Sequence, residues 1–180
     1  MKNEIRQYRK SGADSIRESV PRLISIALSD LATEEEMYFV ANVCLDLGQC
    51  DDSVAILKRL DARFGLGDIG WNNLGFAYDE LNQQLDAFHA YRKSIFLNPG
   101  NISSLRAACH LAIETDHDRD ALSLCEAFQT KTPDSTESAI WYSIALYNCD
   151  RKDELISFIT KWQDLHGENA ELQAIMEKDK

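Results

Sequence analysis

Apolar residues recur at three- and four-residue intervals along this chain. After Pro21, the residues Leu23, Ile24, Ala27, Leu28 and Leu31 fall on one helical stripe. Proline suits the first turn of a helix, where an amide hydrogen would have no intrahelical acceptor. Near the other end, Leu172, Ile175 and Met176 share a stripe and Glu168, Glu171 and Glu177 lie off it, which predicts an amphipathic helix. The pattern predicts helices and no sheet.

The middle of the chain is punctuated at a fixed interval. The run Trp71-Asn72-Asn73-Leu74-Gly75-Phe76-Ala77-Tyr78 is followed by Ala87, Tyr91 and Pro99. This order resembles the tetratricopeptide repeat, whose pattern is W-x2-L-G-x2-Y, then A-x3-F, then P, with Tyr91 here in place of Phe. The resemblance implies a period of about 34 residues. At that period Gly75 aligns with Ala41, Cys109 and Ser143, all small, as two closely approaching helices require. Pro99 aligns with Gly65, Pro133 and Gly167, each a helix terminator. Asn82 aligns with Gly48, Asp116 and Asp150, residues that tolerate a turn. Asp86 aligns with Asp52, Asp120 and Glu154, so each second helix opens with a carboxylate at the positive end of its dipole. Ala87 aligns with Ser53, Ala121 and, as a departure, Leu155.

The resemblance implies an all-α fold, an α-solenoid of tandem helix-turn-helix repeats. The expected division is an N-terminal capping helix region at 1–33, four repeats at 34–67, 68–101, 102–135 and 136–169, and a C-terminal capping helix at 170–180. A single helix pair cannot bury its own apolar face, so neighbours stack to make a continuous core. In the family the first helix of each pair lines a concave groove that takes polypeptide partners. Carried over by column, the groove residues are Glu35, Tyr38, Phe39, Asn42 and Asp46, then Ile69, Asn72, Asn73, Phe76 and Glu80. The third repeat adds Ser103, Arg106, Ala107, His110 and Glu114, and the fourth adds Glu137, Ile140, Trp141, Ile144 and Asn148. Of these, Tyr38, Asn42, Ile69, Asn72, Asn73, Phe76, Glu80, Arg106, His110, Ile140 and Trp141 are the expected contact residues. Phe39 and Ile144 read better as helix packing, and for Trp141 packing and contact stand level.

Charge narrows the partner. The formal net charge is -11 and the pI about 4.7, which repels phosphate backbones and anionic membranes. The expected ligand is therefore another protein or peptide with apolar anchors beside Lys or Arg, with no nucleic acid and no membrane. The first 22 residues run the other way, with Lys2, Arg6, Arg9, Lys10, Arg17 and Arg22 against Glu4, Asp14 and Glu18. This basic end reads as a solvated helix face or an internal electrostatic contact, and self-association through the N-terminal helix is a further expectation. The opening MKNEIRQYRK has no apolar stretch of the kind a signal peptide needs, so a cytoplasmic location is expected. The five cysteines form no CxxC pair, against both a disulfide framework and a zinc module.

Chemical motifs are weak. Asp116, Asp118 and Asp120 alternate like the opening of a calcium loop, but the glycine position holds Ala121 and the closing glutamate position holds Ala127. Cys109, His110, His117 and Cys125 would have to converge from core, groove and turn to hold a metal. No nucleophile elbow or phosphate loop is present, so no enzyme, no cofactor and no metal is expected. Some tetratricopeptide co-chaperones grip a C-terminal carboxylate with two Asn, two Lys and one Arg. Here Asn42 and Asn73 match the amides, while the cation columns hold Tyr38, Ser103 and Ala107, and Arg106 is one residue off. The leading functional expectation is an adaptor or scaffold that binds a polypeptide in the groove. The alternatives are a dedicated chaperone similar to those of type III secretion translocators, and an immunity protein whose acidic surface covers a basic partner.

Overall fold

A computed structural model describes residues 2–115 and 117–178. Among them are eleven α-helices, one 3-10 helix and no strand. No helix among the described residues is long and apolar enough to cross a membrane. The chain divides into two compact units, Met1–Leu97 and Asn98–Lys180.

The first unit begins with α1 (Lys2–Ser11), a 3-10 helix (Ala13–Ser19) and α2 (Val20–Ala27). Pro21 sits in the first turn of α2. Leu23 and Ala27 are fully buried, as the stripe requires, but α2 ends at Ala27, leaving Leu28 37% and Leu31 92% exposed. The expected stripe thus fails at its last two members. Ser29 and Asp30 break the helix, and the chain turns toward Thr33. The expected N-terminal capping helix is two α-helices and a 3-10 link.

Two helix pairs follow: α3 (Glu34–Asp46) with α4 (Cys50–Phe64), and α5 (Asp68–Glu80) with α6 (Gln84–Leu97). Thr33 and Glu36 form a reciprocal cap, in which the Glu36 amide donates to Thr33 Oγ1 at 3.3 Å and the Thr33 amide donates to Glu36 Oε2 at 3.1 Å. Gly65 ends α4 with φ 78°, a value open to glycine at little cost. Between paired helices, Gly48 and Asn82 both have positive φ, 73° and 57°. Leu23, Met37, Val40, Ile56, Leu57, Leu60 and Leu74 form the core of this unit.

The second unit pairs α7 (Ile102–Glu114) with α8 (Asp118–Lys131) and α9 (Thr136–Asn148) with α10 (Lys152–His166), and closes with α11 (Ala170–Glu177). Asn101, Ser135 and Asn169 cap α7, α9 and α11 with their side-chain oxygens. Asp150 repeats the positive φ of Gly48 and Asn82, at 56°. The fourth member of that column, Asp116, lies outside the described residues. Ala139, Leu146, Leu155, Ile159, Trp162, Leu172 and Ile175 make a core for α9 to α11.

Candidate functional site

In the first unit the expected groove residues lie on α3 and α5. Asn73 Nδ2 donates to Asn42 Oδ1 at 2.8 Å, so the two amides form a pair across the helices. One half of each amide is used and the other half is left. Around them, Tyr8, Leu45, Asp46 and Phe76 complete the lining of a recess of about 520 Å³. Phe76 is 42% and Ile69 67% exposed, so both offer apolar surface to solvent. Glu80 is exposed at the end of α5, and Asn72 is half-buried. Tyr38 is placed differently. It is half-buried, and a methyl group on Gly70 would stand 2.7 Å from its hydroxyl, so it packs beneath the start of α5. Burial raises the pKa of its phenol.

Sequence reasoning missed Tyr8. Its ring meets Phe39 edge-on at 5.4 Å, and its hydroxyl donates to Asp46 Oδ2 at 2.6 Å. The hydrogen bond to Asp46, then burial, then the carboxylate's charge push the Tyr8 phenol up to about 12. Phe39 is therefore held by helix packing. The only sequence signal for Tyr8 was an aromatic residue alone in a polar, basic helix.

In the second unit Trp141 lies between two rings, Phe128 at 5.8 Å and His110 at 5.7 Å. Phe128 is buried, and His110 is exposed with its Nε2 3.4 Å from Glu114. Ile140 and Ile144 pack against the core of this unit, and Arg106 is exposed. Cys109 and Cys125 are both buried. A hydrogen bond to Cys125, with burial behind it, raises the Cys109 thiol well above its ordinary range. His117 is engaged with Thr115 in the turn, Nδ1 to Oγ1 at 2.8 Å. Among the described residues, no group of three His, Cys, Asp or Glu is placed to hold a metal ion.

Paired antiparallel helices, positive-φ turns at a fixed column and a small-residue contact between partners define the tetratricopeptide-repeat fold, and the chain has that fold. Solved structures agree in particular. The protein is similar to MamA (AMB-1), with a TM-score of 0.78 at 15% identity, covering 96% of this chain and 93% of that one. It is also similar to YrrB, described as a TPR protein with an unusual peptide-binding site, with a TM-score of 0.68 at 12% identity over 90% and 87% of the two chains. A tetratricopeptide repeat protein from Parabacteroides merdae matches with a TM-score of 0.70 at 12% identity, covering 97% of this chain and 68% of that one. No family model and no curated protein matches the sequence.

Proposed function

We propose that this chain is a non-catalytic interaction module whose α3–α5 face binds a polypeptide segment of another protein. The observation that carries the reading is the Asn42–Asn73 amide pair, half satisfied, beside exposed Phe76 in a recess of about 520 Å³. Side-chain amides with spare donors and acceptors match a peptide backbone, and an exposed aromatic supplies apolar contact. The peptide-binding site named for YrrB is in keeping with this use of the fold. Asp46 in the recess and exposed Glu80, one turn on from Phe76 along α5, favour a segment that carries Lys or Arg next to its apolar anchors. The α7–α9 face contributes less, because Trp141 and Ile140 are engaged in packing.

The test is a partner recovered by pull-down and titrated calorimetrically at low and high salt. Phe76→Ala and Asn73→Ala should each weaken binding, the former by about 2 kcal/mol if Phe76 is a hot spot. Glu80→Lys should act mostly on the association rate and its salt dependence. A partner that binds all three variants as it binds the parent overturns the reading.

A further inference from the structure

Asp46 is a carboxylate in the wrong place for its own helix. It is the last residue of α3, whose final turn holds no basic side chain. A negative charge there meets the negative end of the helix dipole. It accepts instead from the hydroxyl of Tyr8, which comes from α1. The same Tyr8 forms a wall of the recess that holds Asn42, Asn73 and Phe76. The N-terminal helix therefore delivers one aromatic hydroxyl to the face proposed above as the binding site.

The rest of α1 is weakly committed. It is ten residues of mostly polar sequence, shorter than a helix that stands alone in water. It leans on the 3-10 helix, and an ion pair from Arg22 to Glu4 fastens it to α2. Along its sequence α1 carries four cations and a single acid, Glu4; of the cations Arg6 and Lys10 are exposed, as are Asp46 on α3 and Glu80 on α5. The two sequences are opposite in charge, and Tyr8 joins them through Asp46 and Phe39.

We infer that α1 is an internal occupant of the α3–α5 face, and that the face is built for a segment presenting a tyrosine flanked by Lys or Arg, which displaces α1 on binding. This rests on the reading of that face as a polypeptide site and adds the anchor and its regulation. The tyrosine ring packs edge-on to Phe39, its hydroxyl donates to Asp46, and the neighbouring backbone meets the free halves of Asn42 and Asn73.

The probe is a labelled peptide of residues 2–11, and a second copy of it with phenylalanine in place of the tyrosine, each titrated into full-length protein by fluorescence anisotropy. A site blocked nine-tenths of the time binds roughly tenfold more weakly. The Tyr8→Ala chain should thus bind the tyrosine peptide about tenfold or more tighter than the parent does. The phenylalanine peptide should bind that chain several-fold more weakly, and adding Asp46→Asn should erase the difference between the two peptides. Equal binding to parent and Tyr8→Ala, or no difference between the peptides, overturns the inference. The two readings fail separately. A partner lost in Phe76→Ala and Asn73→Ala but indifferent to Tyr8→Ala sinks the internal occupant alone, and a partner indifferent to all three sinks the binding face itself.

Discussion

In the first unit Gly75 brings α5 so close to α6 that a methyl group built on it would stand 2.7 Å from Cδ1 of Tyr91. In the second unit the same column, two periods on, holds Ser143, and the column of Tyr91 holds Ile159; both are fully buried. Between them in sequence lie Cys109 and Cys125, whose thiols are hydrogen-bonded to each other. The corresponding first-pair residues are Ala41 and Leu57, also buried. By column, glycine stands with tyrosine, serine with isoleucine, alanine with leucine and cysteine with cysteine, so the second residue is largest where the first is smallest. The contact between paired helices asks for a fitting sum and not for a particular residue, as close-packed interiors require.

Glycine against Tyr91 is the tightest of these contacts. Gly75→Leu must push a branched side chain into the Tyr91 ring, and overpacking of this kind costs about 3 kcal/mol or more. For a chain of this length each kcal/mol lowers the melting temperature by about 2–4 °C. Gly75→Ala should cost less, and combining it with Tyr91→Leu should cost less than the sum of the two single changes, because the pair shares one contact. A melting temperature unchanged by Gly75→Leu would refute the volume exchange.

This contact explains why the fold was legible throughout and the candidate site only in part, with Asn42, Asn73 and Phe76 projected and Tyr8 missed. Gly75, Asn82 and Pro99 repeat by column because backbone geometry and pair packing recur in every repeat, so one strong motif carried the register to weaker ones such as 136–169. Face residues obey no such recurrence. Tyr38 and Phe39 lie on the projected groove, yet Tyr38 packs beneath Gly70 and Phe39 meets Tyr8, the latter a contact from an element outside the period. Leu28 and Leu31 continue the α2 stripe in sequence, but no helix continues beneath them. Tyr8 lies outside the repeats altogether, and its partner Asp46 is 38 residues away.

The two faces give the next contrast. Trp141 packs on buried Phe128, so Trp141→Ala should remove about 2 kcal/mol of stability or more by leaving a gap beside that ring. Phe76 is exposed, and Phe76→Ala should change stability by less than about 0.5 kcal/mol while weakening partner binding. Chemical denaturation of both variants separates the roles. If Phe76→Ala unfolds the protein as readily as Trp141→Ala does, the α3–α5 face is packing surface and not a site.

Within the first unit, Tyr8 is held to Asp46 through its hydroxyl. Its phenol is pushed up to about 12, while the ordinary value is 10.0, chiefly by its hydrogen bond to Asp46. A pKa raised by folding means the neutral phenol is favoured in the folded chain, so this contribution is fully present below pH 10 and is lost as the pH rises through about 12. The ultraviolet signal of the phenolate, taken as the difference between the parent and Tyr8→Phe, should show this late titration. In Asp46→Asn it should move back toward 10, the ordinary value. A midpoint already near the ordinary value in the parent would mean that Tyr8 does not hold Asp46 in solution.

The smallest effect is at two serines, one in each unit. Ser53 and Ser143 are fully buried, and their hydroxyls have no hydrogen-bond partner among the described residues. An unsatisfied buried hydroxyl costs about 1–3 kcal/mol, whereas the methyl group of alanine costs nothing there and favours the helix by a few tenths more. At Ser53 the column already holds alanine in two other pairs, Ala87 and Ala121, both buried, so the space accepts it. Ser53→Ala should therefore raise the denaturant midpoint by the equivalent of about 1 kcal/mol with an unchanged slope. Ser143→Ala should gain less, since its column is the one that exchanges volume with Ile159 and a lost oxygen leaves that contact slightly underfilled. The difference between the two substitutions isolates the packing share, because the polar share is common to both. If Ser143→Ala stabilises as much as Ser53→Ala, the small column is slack at the fourth pair, and volume is exchanged tightly only where glycine meets Tyr91.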